Sequence, residues 1–348
     1  TFCIEIIQMT YNVWCKWHPL KTVLLGSPHP KEFFDNIKNP NIRGPLQRIT
    51  EETQEDLDYF EQVLKQYGCN VLKAETLYTE KDITRYPGQI PRNALQPRDT
   101  QLVMGNKLIM FKLDNLGIQK ALMEYNKKDI IRDPEILNIG KLTETSHMGR
   151  IEAPCITVIG DKVLLDRSDG DTTDVTNWLK DTMPEFEYKD IYIGGHSDGV
   201  FHTLKPGVML ALHDIETYKD NFKNWDICYL PDQHWDALSE FRKIKHKVKG
   251  KWWLPGEEDN DDFTHYVNSW LNDWVGYVEE TVFDVNVLML DHRFCCLSNL
   301  NNKTVIKFLE KHHIEPIHIP WRHRYFWDGG LHCITLDLER EGNMENYF

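Results

Sequence analysis

Four polar clusters, far apart along the chain, carry residue types that could do chemistry together. They are Pro97-Arg98-Asp99, Glu152, the run Gly194-Gly195-His196-Ser197-Asp198-Gly199, and the run Asp328-Gly329-Gly330-Leu331-His332-Cys333. Each abuts an apolar run that reads as a strand, and strand ends are where radial and α/β folds place their sites. Singly, each has an ordinary explanation. A Cys at a strand start is most often a small buried hydrophobe. A His or Asp in a Gly-rich turn usually makes a local turn hydrogen bond. Together they suggest more. A Cys333 nucleophile needs a base or cation nearby to favour the thiolate, and His196 could supply it. That His needs an acceptor to fix its tautomer, and Glu152 could serve. Asp99 and Asp198 would be surplus to an acyl-transfer triad. They make sense for a cation with several N–H donors, because flanking carboxylates grip a guanidinium through paired hydrogen bonds. The set points to chemistry at a guanidinium carbon.

The elements that must position these residues recur along the chain. Leu102–Met104 turns through Gly105-Asn106-Lys107 into Leu108–Phe111, and Ile156–Ile159 turns through Gly160-Asp161-Lys162 into Val163–Leu165. Thr203-Leu204 passes through Lys205-Pro206-Gly207 into Val208–Leu212, and Val287–Leu290 through Asp291-His292-Arg293 into Phe294–Leu297. An apolar run, a tight turn and a second apolar run is a hairpin signature. Unbroken apolar runs, without alternation, predict strands covered on both faces. Helix followed by strand recurs as well. Glu55–Tyr67 sets Leu57, Phe60, Leu64 and Tyr67 on one face, Gly68 is placed to end the helix, and Val71-Leu72 follows. Lys303–His312 repeats the pattern ahead of Ile314–Ile319, and Ile191–Ile193 reads as a further strand. Hairpin plus helix plus strand, repeated, predicts a closed radial array of ββαβ modules. No Pro/Gly/Ser-rich linker interrupts it, so residues 1–348 read as one domain.

Composition narrows the function classes. The chain has 348 residues, 40 Lys+Arg against 54 Asp+Glu and a net charge of −14, with 41% hydrophobic and 27% charged residues. That is a folded globular protein. Its acidic balance argues against nucleic acid as a partner, for want of cations to displace phosphate counterions. The one basic run, Arg242–Lys251, reads as a solvated face. Apolar stretches fall far short of the ~20 residues a bilayer requires, so no membrane partner is expected. The eight cysteines show no C-x-x-C spacing, which predicts no disulfide framework, no metal site and a cytoplasmic setting. Gly194-Gly195 and Gly329-Gly330 do not make G-x-G-x-x-G, and no cofactor is expected. The sequon Asn302-Lys303-Thr304 reads as a polar loop.

At these residues the sequence resembles the amidinotransferase branch of the guanidino-modifying superfamily, near the arginine:glycine transamidinases. The matching motifs are Asn12-x-Trp14 through Pro19-Leu20-x-x-Val23-x-x-Gly26, then Pro97-Arg98-Asp99 with Val103-x-Gly105-Asn106. They continue with His196-x-Asp198-x-x-Phe201 and Pro206-Gly207, then Asn286-Val287-Leu288-Met289-Leu290-Asp291, and Gly329-Gly330-Leu331-His332-Cys333. The resemblance implies an α/β fold, a pentein-like propeller of five ββαβ modules about a pseudo-five-fold axis. It implies Cys333 as nucleophile, His196 as acid and base, Glu152 as the acidic partner of that His, and Asp99 and Asp198 as the guanidinium grip. The implied reaction is ping-pong transfer of an amidino group from a guanidino donor such as L-arginine to glycine or another amine, through an amidino-cysteine. An arginine-deiminase-like hydrolase is the alternative. The implied partners are small molecules, with a homodimer left open.

The chain also departs from that pattern. Cys155 stands where the resemblance would place a second acid, and Asp328 replaces the first Gly of a three-Gly run. Ile215 occupies the position of an Arg for the donor's carboxylate, and Glu279-Glu280 that of a serine pair contacting the same group. Acids there would repel a carboxylate. Arg322 aligns with a family Arg and is the expected compensation. A substrate that is more cationic, or lacks a carboxylate, fits these changes.

Overall fold

Each of the four hairpin runs folds as an antiparallel pair, and each pair takes a third strand in parallel. The computed structural model describes residues 11–78, 93–111, 115–126, 136–138, 152–168, 173–194, 196–212, 214–230, 254–257, 259–270, 283–327 and 329–348. The basic run Arg242–Lys251 lies outside them. Strands β1 (Leu20–Leu25) and β2 (Asn70–Lys73) pair in parallel across helix α1 (Pro40–Gln66). Strands β3 (Gln101–Met104) and β4 (Lys107–Met110) form a hairpin, with β5 (Ile136–Asn138) parallel to β4 beyond α2 (Leu116–Asn126). Strands β6 (Ile156–Ile159) and β7 (Lys162–Asp166) repeat this, with α3 (Thr173–Thr182) leading to β8 (Glu187–Ile191). The next unit is β9 (Phe201–Lys205), β10 (Val208–Ala211) and β11 (Asp226–Tyr229). Helix α4 (Asp261–Trp270) precedes the last, β12 (Leu288–Asp291), β13 (Phe294–Leu297), α5 (Lys303–Lys311) and β14 (Glu315–His318). Strand β15 (Thr335–Arg340) then returns to pair antiparallel with β1. The described residues thus form five three-stranded sheets.

The packing closes these sheets into a ring. One apolar core joins β1 and β15 to β3 and β4 through Leu24, Leu336, Val103 and Leu108. The next joins β3 and β4 to β6 and β7 through Met104, Ile109, Val158 and Val163. Ile159, Leu164, Phe201 and Met209 link the third unit to the fourth, and Leu204, Leu210, Val287 and Met289 the fourth to the fifth. Val23, Leu288, Leu290 and Ile334 bring the fifth back to the first. Every inner sheet face therefore serves two neighbours. That is why β3, β6, β10 and β12 are buried at every residue, as unbroken apolar runs predict. This is the five-module ββαβ propeller.

Three local readings need correction. Helix α1 begins well before Glu55, and the obstacle to seeing this was Pro45, which cannot donate to the Asn41 carbonyl one turn back. Asn260 Nδ2 supplies that donor at 2.6 Å, while Asn39 caps the helix through Asn41 N at 3.0 Å. The helix ends where expected, at Gly68 with φ +83°, a conformation that disfavours any Cβ. Asn302 is a helix cap, not a loop residue: its Oδ1 accepts from Thr304 N and Val305 N at the start of α5. The strand read at Ile191–Ile193 ends at Ile191. Among the described residues no helix is long and apolar enough to cross a membrane, and the cysteines are free thiols.

Candidate active site

Each of the five modules delivers one short segment just ahead of the antiparallel strand of its sheet, and the polar residues above sit on these segments. Asp99 closes the helical turn Pro97–Asp99 before β3, and Glu152 heads the turn Ala153–Cys155 before β6. His196 heads the turn Ser197–Val200, which carries Asp198 into β9. Cys333 precedes β15. The fifth segment, before β12, carries Asn286.

Direct contacts tie these segments together. His196 Nε2 lies 3.0 Å from Glu152 Oε2, with both side chains half-buried. Asp198 is buried, and its Oδ2 accepts from His332 Nδ1 at 2.7 Å and from the Cys333 thiol at 3.5 Å. A carboxylate oxygen only accepts, so the His332 proton sits on Nδ1. Asn286 Nδ2 donates to Cys333 Sγ at 3.0 Å and to the Asp198 carbonyl at 3.2 Å. Its Oδ1 accepts from His332 N at 2.9 Å and Cys333 N at 3.2 Å. Gly330 makes room for this side chain, since a Cβ there would lie 2.5 Å from Asn286 Oδ1. No hydrogen bond joins His196 to Cys333. The two are coupled instead through the charges of Asp99 and Asp198, which act on both.

These charges set the protonation pattern. Burial alone would lower the His196 pKa. The Glu152 hydrogen bond and the charges of Asp99, Asp198 and Glu152 outweigh it and raise the value to about 10. His196 is therefore an imidazolium at neutral pH. Burial, then Asp198 and Asp99, pushes the Cys333 thiol well above its ordinary value, against the Asn286 hydrogen bond and the Gly330 backbone N–H, which favour the thiolate. The thiol proton is thus held on by burial first and by the two acids second. Burial and the cations Arg98 and Lys16 push His332 far down, so it stays neutral.

The remaining predicted residues fall elsewhere. Arg322 is engaged by α1: its Nε and backbone N donate to Asp56 at 2.9 and 2.8 Å, and its Nη2 to Glu55 at 2.8 Å and the Glu52 carbonyl at 2.6 Å. No described contact joins it to Cys333, His196, Asp99 or Asp198. Glu279, Glu280 and Asp328 lie outside the described residues. Ile215 is half-buried against the core shared by the third and fourth modules. Sequence reasoning assigned no role to Asn286, although the Asn286–Asp291 motif opened the one hairpin left without a polar cluster. Three of the four hairpins have a polar cluster just ahead of them, and the bare fourth was the available signal.

The chain resembles amidinotransferases over nearly its whole length. It is 23% identical to an L-arginine:L-lysine amidinotransferase of Pseudomonas savastanoi pv. phaseolicola, with 95% of this chain and 89% of that protein covered. It is 21% identical to inosamine-phosphate amidinotransferase 1 of Streptomyces glaucescens, with 97% and 98% covered. Among solved structures it matches an amidinotransferase of the saxitoxin biosynthetic pathway from Microseira wollei, with a TM-score of 0.64, 18% identity, and 97% and 99% of the two chains covered. No protein-family model matches.

Proposed function

We infer that this chain is an enzyme of the amidinotransferase branch of the guanidino-modifying superfamily, the class its relatives support. We propose that this chain, acting as one catalytic domain, moves an amidino group from L-arginine to a primary amine through an amidino-Cys333 intermediate. The observation that carries the reading is buried Asp198, whose Oδ2 lies 3.5 Å from the Cys333 sulfur, in a site where the charge of Asp99 also acts on the sulfur and the imidazole. Two acids facing a thiol hinder a nucleophile unless the substrate is itself a cation.

A guanidinium held by those acids adds the missing positive charge, lowers the thiol pKa and lets its proton pass to solvent. The thiolate then attacks the guanidinium carbon and forms a C–S bond. As the C–N bond to ornithine breaks, the His196 imidazolium gives its proton to the departing nitrogen. The amidino-cysteine keeps its charge between Asp99 and Asp198. Neutral His196 next takes a proton from the incoming amine as its N–C bond forms, and the C–S bond breaks to return the thiolate.

The Pseudomonas relative is named for L-arginine as donor and L-lysine as acceptor, which supports arginine here. The engagement of Arg322 by Asp56 and Glu55 occupies the cation expected to hold the donor's carboxylate. A donor or acceptor that is more cationic, or lacks a carboxylate, is therefore the second reading beside transfer from arginine to glycine. The test is incubation with arginine, with and without glycine, lysine or a diamine. Ornithine plus a new guanidino compound, formed only with the amine, is the expected result. Citrulline would establish hydrolysis instead, and product formation by Cys333→Ala would end the covalent reading.

A further inference from the structure

We propose that Asn286 is a catalytic residue whose Nδ2–H holds the Cys333 sulfur as it becomes a thiolate. The inference rests on Cys333 as nucleophile and assigns the fifth module its part in the site.

The direction of the amide is dictated by its partners. Oδ1 faces two backbone N–H groups, of His332 and Cys333, which can only donate. Nδ2 faces the Asp198 carbonyl, which can only accept. A flipped amide would set donor against donor at both N–H groups and acceptor against acceptor at the carbonyl. The group 3.0 Å from Sγ is therefore an N–H donor. All four hydrogen-bonding positions of the side chain are filled, so it has no freedom to turn away.

Its backbone is equally fixed. Val285 and Val287 on either side are fully buried in the core between the fourth and fifth modules, and Val287 N bonds Val285 O at 3.0 Å. Asn286 thus joins three of the five segments, holding Asp198 by its carbonyl, Cys333 by its N–H and the sulfur itself. Apart from the Gly330 backbone N–H, the sulfur otherwise faces burial and two acids. Hydrogen bonds to a charged group are the strong ones, and this one strengthens as charge develops on sulfur. That is the property of a group that favours the attacking state over the resting one.

The test reads the thiol directly, without turnover. The pH dependence of Cys333 carbamidomethylation by iodoacetamide is followed by peptide mass spectrometry, and thiolate absorbance near 240 nm is recorded as each protein minus its Cys333→Ser counterpart. Asn286→Asp keeps the acceptor for the two N–H groups and replaces the donor with an oxygen. Asn286→Ser removes the amide without adding charge and serves where the Asp variant does not fold. Loss of a hydrogen bond to a charged group predicts roughly tenfold to a hundredfold less thiolate at a given pH. Both readouts should shift alkaline by about one to two pH units. A purely structural role would lower the melting temperature and leave the thiol titration in place, and that outcome overturns the proposal. Failure of the function reading looks different, since Cys333→Ser would then keep its turnover whatever residue stands at 286.

Discussion

Replacing Glu152 by Gln removes one charge, keeps the shape, and should move the titration of His196 by a predictable amount. The carboxylate lies 3.0 Å from His196 Nε2. At that separation the Coulomb attraction is about 1.4 kcal/mol in bulk water and about 5.5 kcal/mol at an effective dielectric of ~20. Both side chains are about 30% exposed, at 31% and 29%, so the effective value lies between these limits. Charge-assisted hydrogen bonds measured by substitution fall at about 1.5–3 kcal/mol, which is roughly one to two pKa units. The His196 pKa, about 10 with Glu152 present, should therefore drop to roughly 8–9 in Glu152→Gln. Asp99 and Asp198 still hold it above the ordinary histidine value. Folding raises this pKa, so the pair contributes its full stability below the unfolded value of about 6.5 and loses it as pH rises through about 10. The variant should show less stability at pH 7 and a smaller loss between pH 7 and 10. Histidine-labelled NMR titration, with His196→Asn to assign the resonance, reads the pKa directly. An unmoved His196 titration, or a shift in the alkaline direction, would refute the assignment of Glu152 as a charge that raises the imidazole pKa.

Two further substitutions test the scaffold and the specificity. Asp337 is clamped between Arg98 Nη2 at 2.8 Å and Arg340 Nε at 2.7 Å, and despite burial these cations hold its carboxyl down at about 2. Asp337→Asn leaves two buried guanidinium groups without their counter-charge and should cost about 3–5 kcal/mol in urea unfolding at pH 7. In the wild type that contribution is present above the unfolded carboxylate pKa and fades as pH falls toward 2, so the gap between the two proteins should narrow in acid. Arg322→Ala should lower stability by about 1–3 kcal/mol through loss of its bonds to Asp56. It should leave the KM for arginine within about twofold. A KM raised tenfold or more would show that Arg322 leaves α1 to hold the donor.

What the sequence disclosed follows from where each element packs. The four hairpins were legible because inner strands are covered on both faces, which demands unbroken apolar runs between turn residues. The outer strand β8, Glu187–Ile191, was not, since all but its last residue are half-buried or exposed and its composition is that of a surface segment. The pairing of β1 with β15 joins opposite ends of the chain, and no local pattern encodes it. Asp99, Glu152, His196, Asp198 and Cys333 stood out because charged or nucleophilic side chains beside buried strands carry a desolvation cost that needs a reason. Asn286 did not stand out, because a neutral amide carries no such signal until its four partners are seen.

The arrangement also explains why Arg98 accompanies Asp99 in the Pro-Arg-Asp motif. Arg98 Nε donates to the His332 carbonyl at 2.8 Å and the Thr335 carbonyl at 2.9 Å, which bracket Cys333, while Nη2 reaches Asp337 within β15. The position of Asp99 relative to the sulfur is therefore fixed by its neighbour's staple to β15. The same strand closes the propeller by pairing with β1, and Arg340 adds bonds to the His18 carbonyl at 2.5 Å and the Met289 carbonyl at 2.8 Å. Cys333 precedes the strand whose docking completes the ring. Loosening β15 would separate the sulfur from Asp99 and expose buried cations at once, so site assembly and ring closure are one cooperative event. The strength of the Arg98–Asp337–Arg340 clamp thus measures how firmly the segment carrying Asp99 is tied to the strand that follows Cys333.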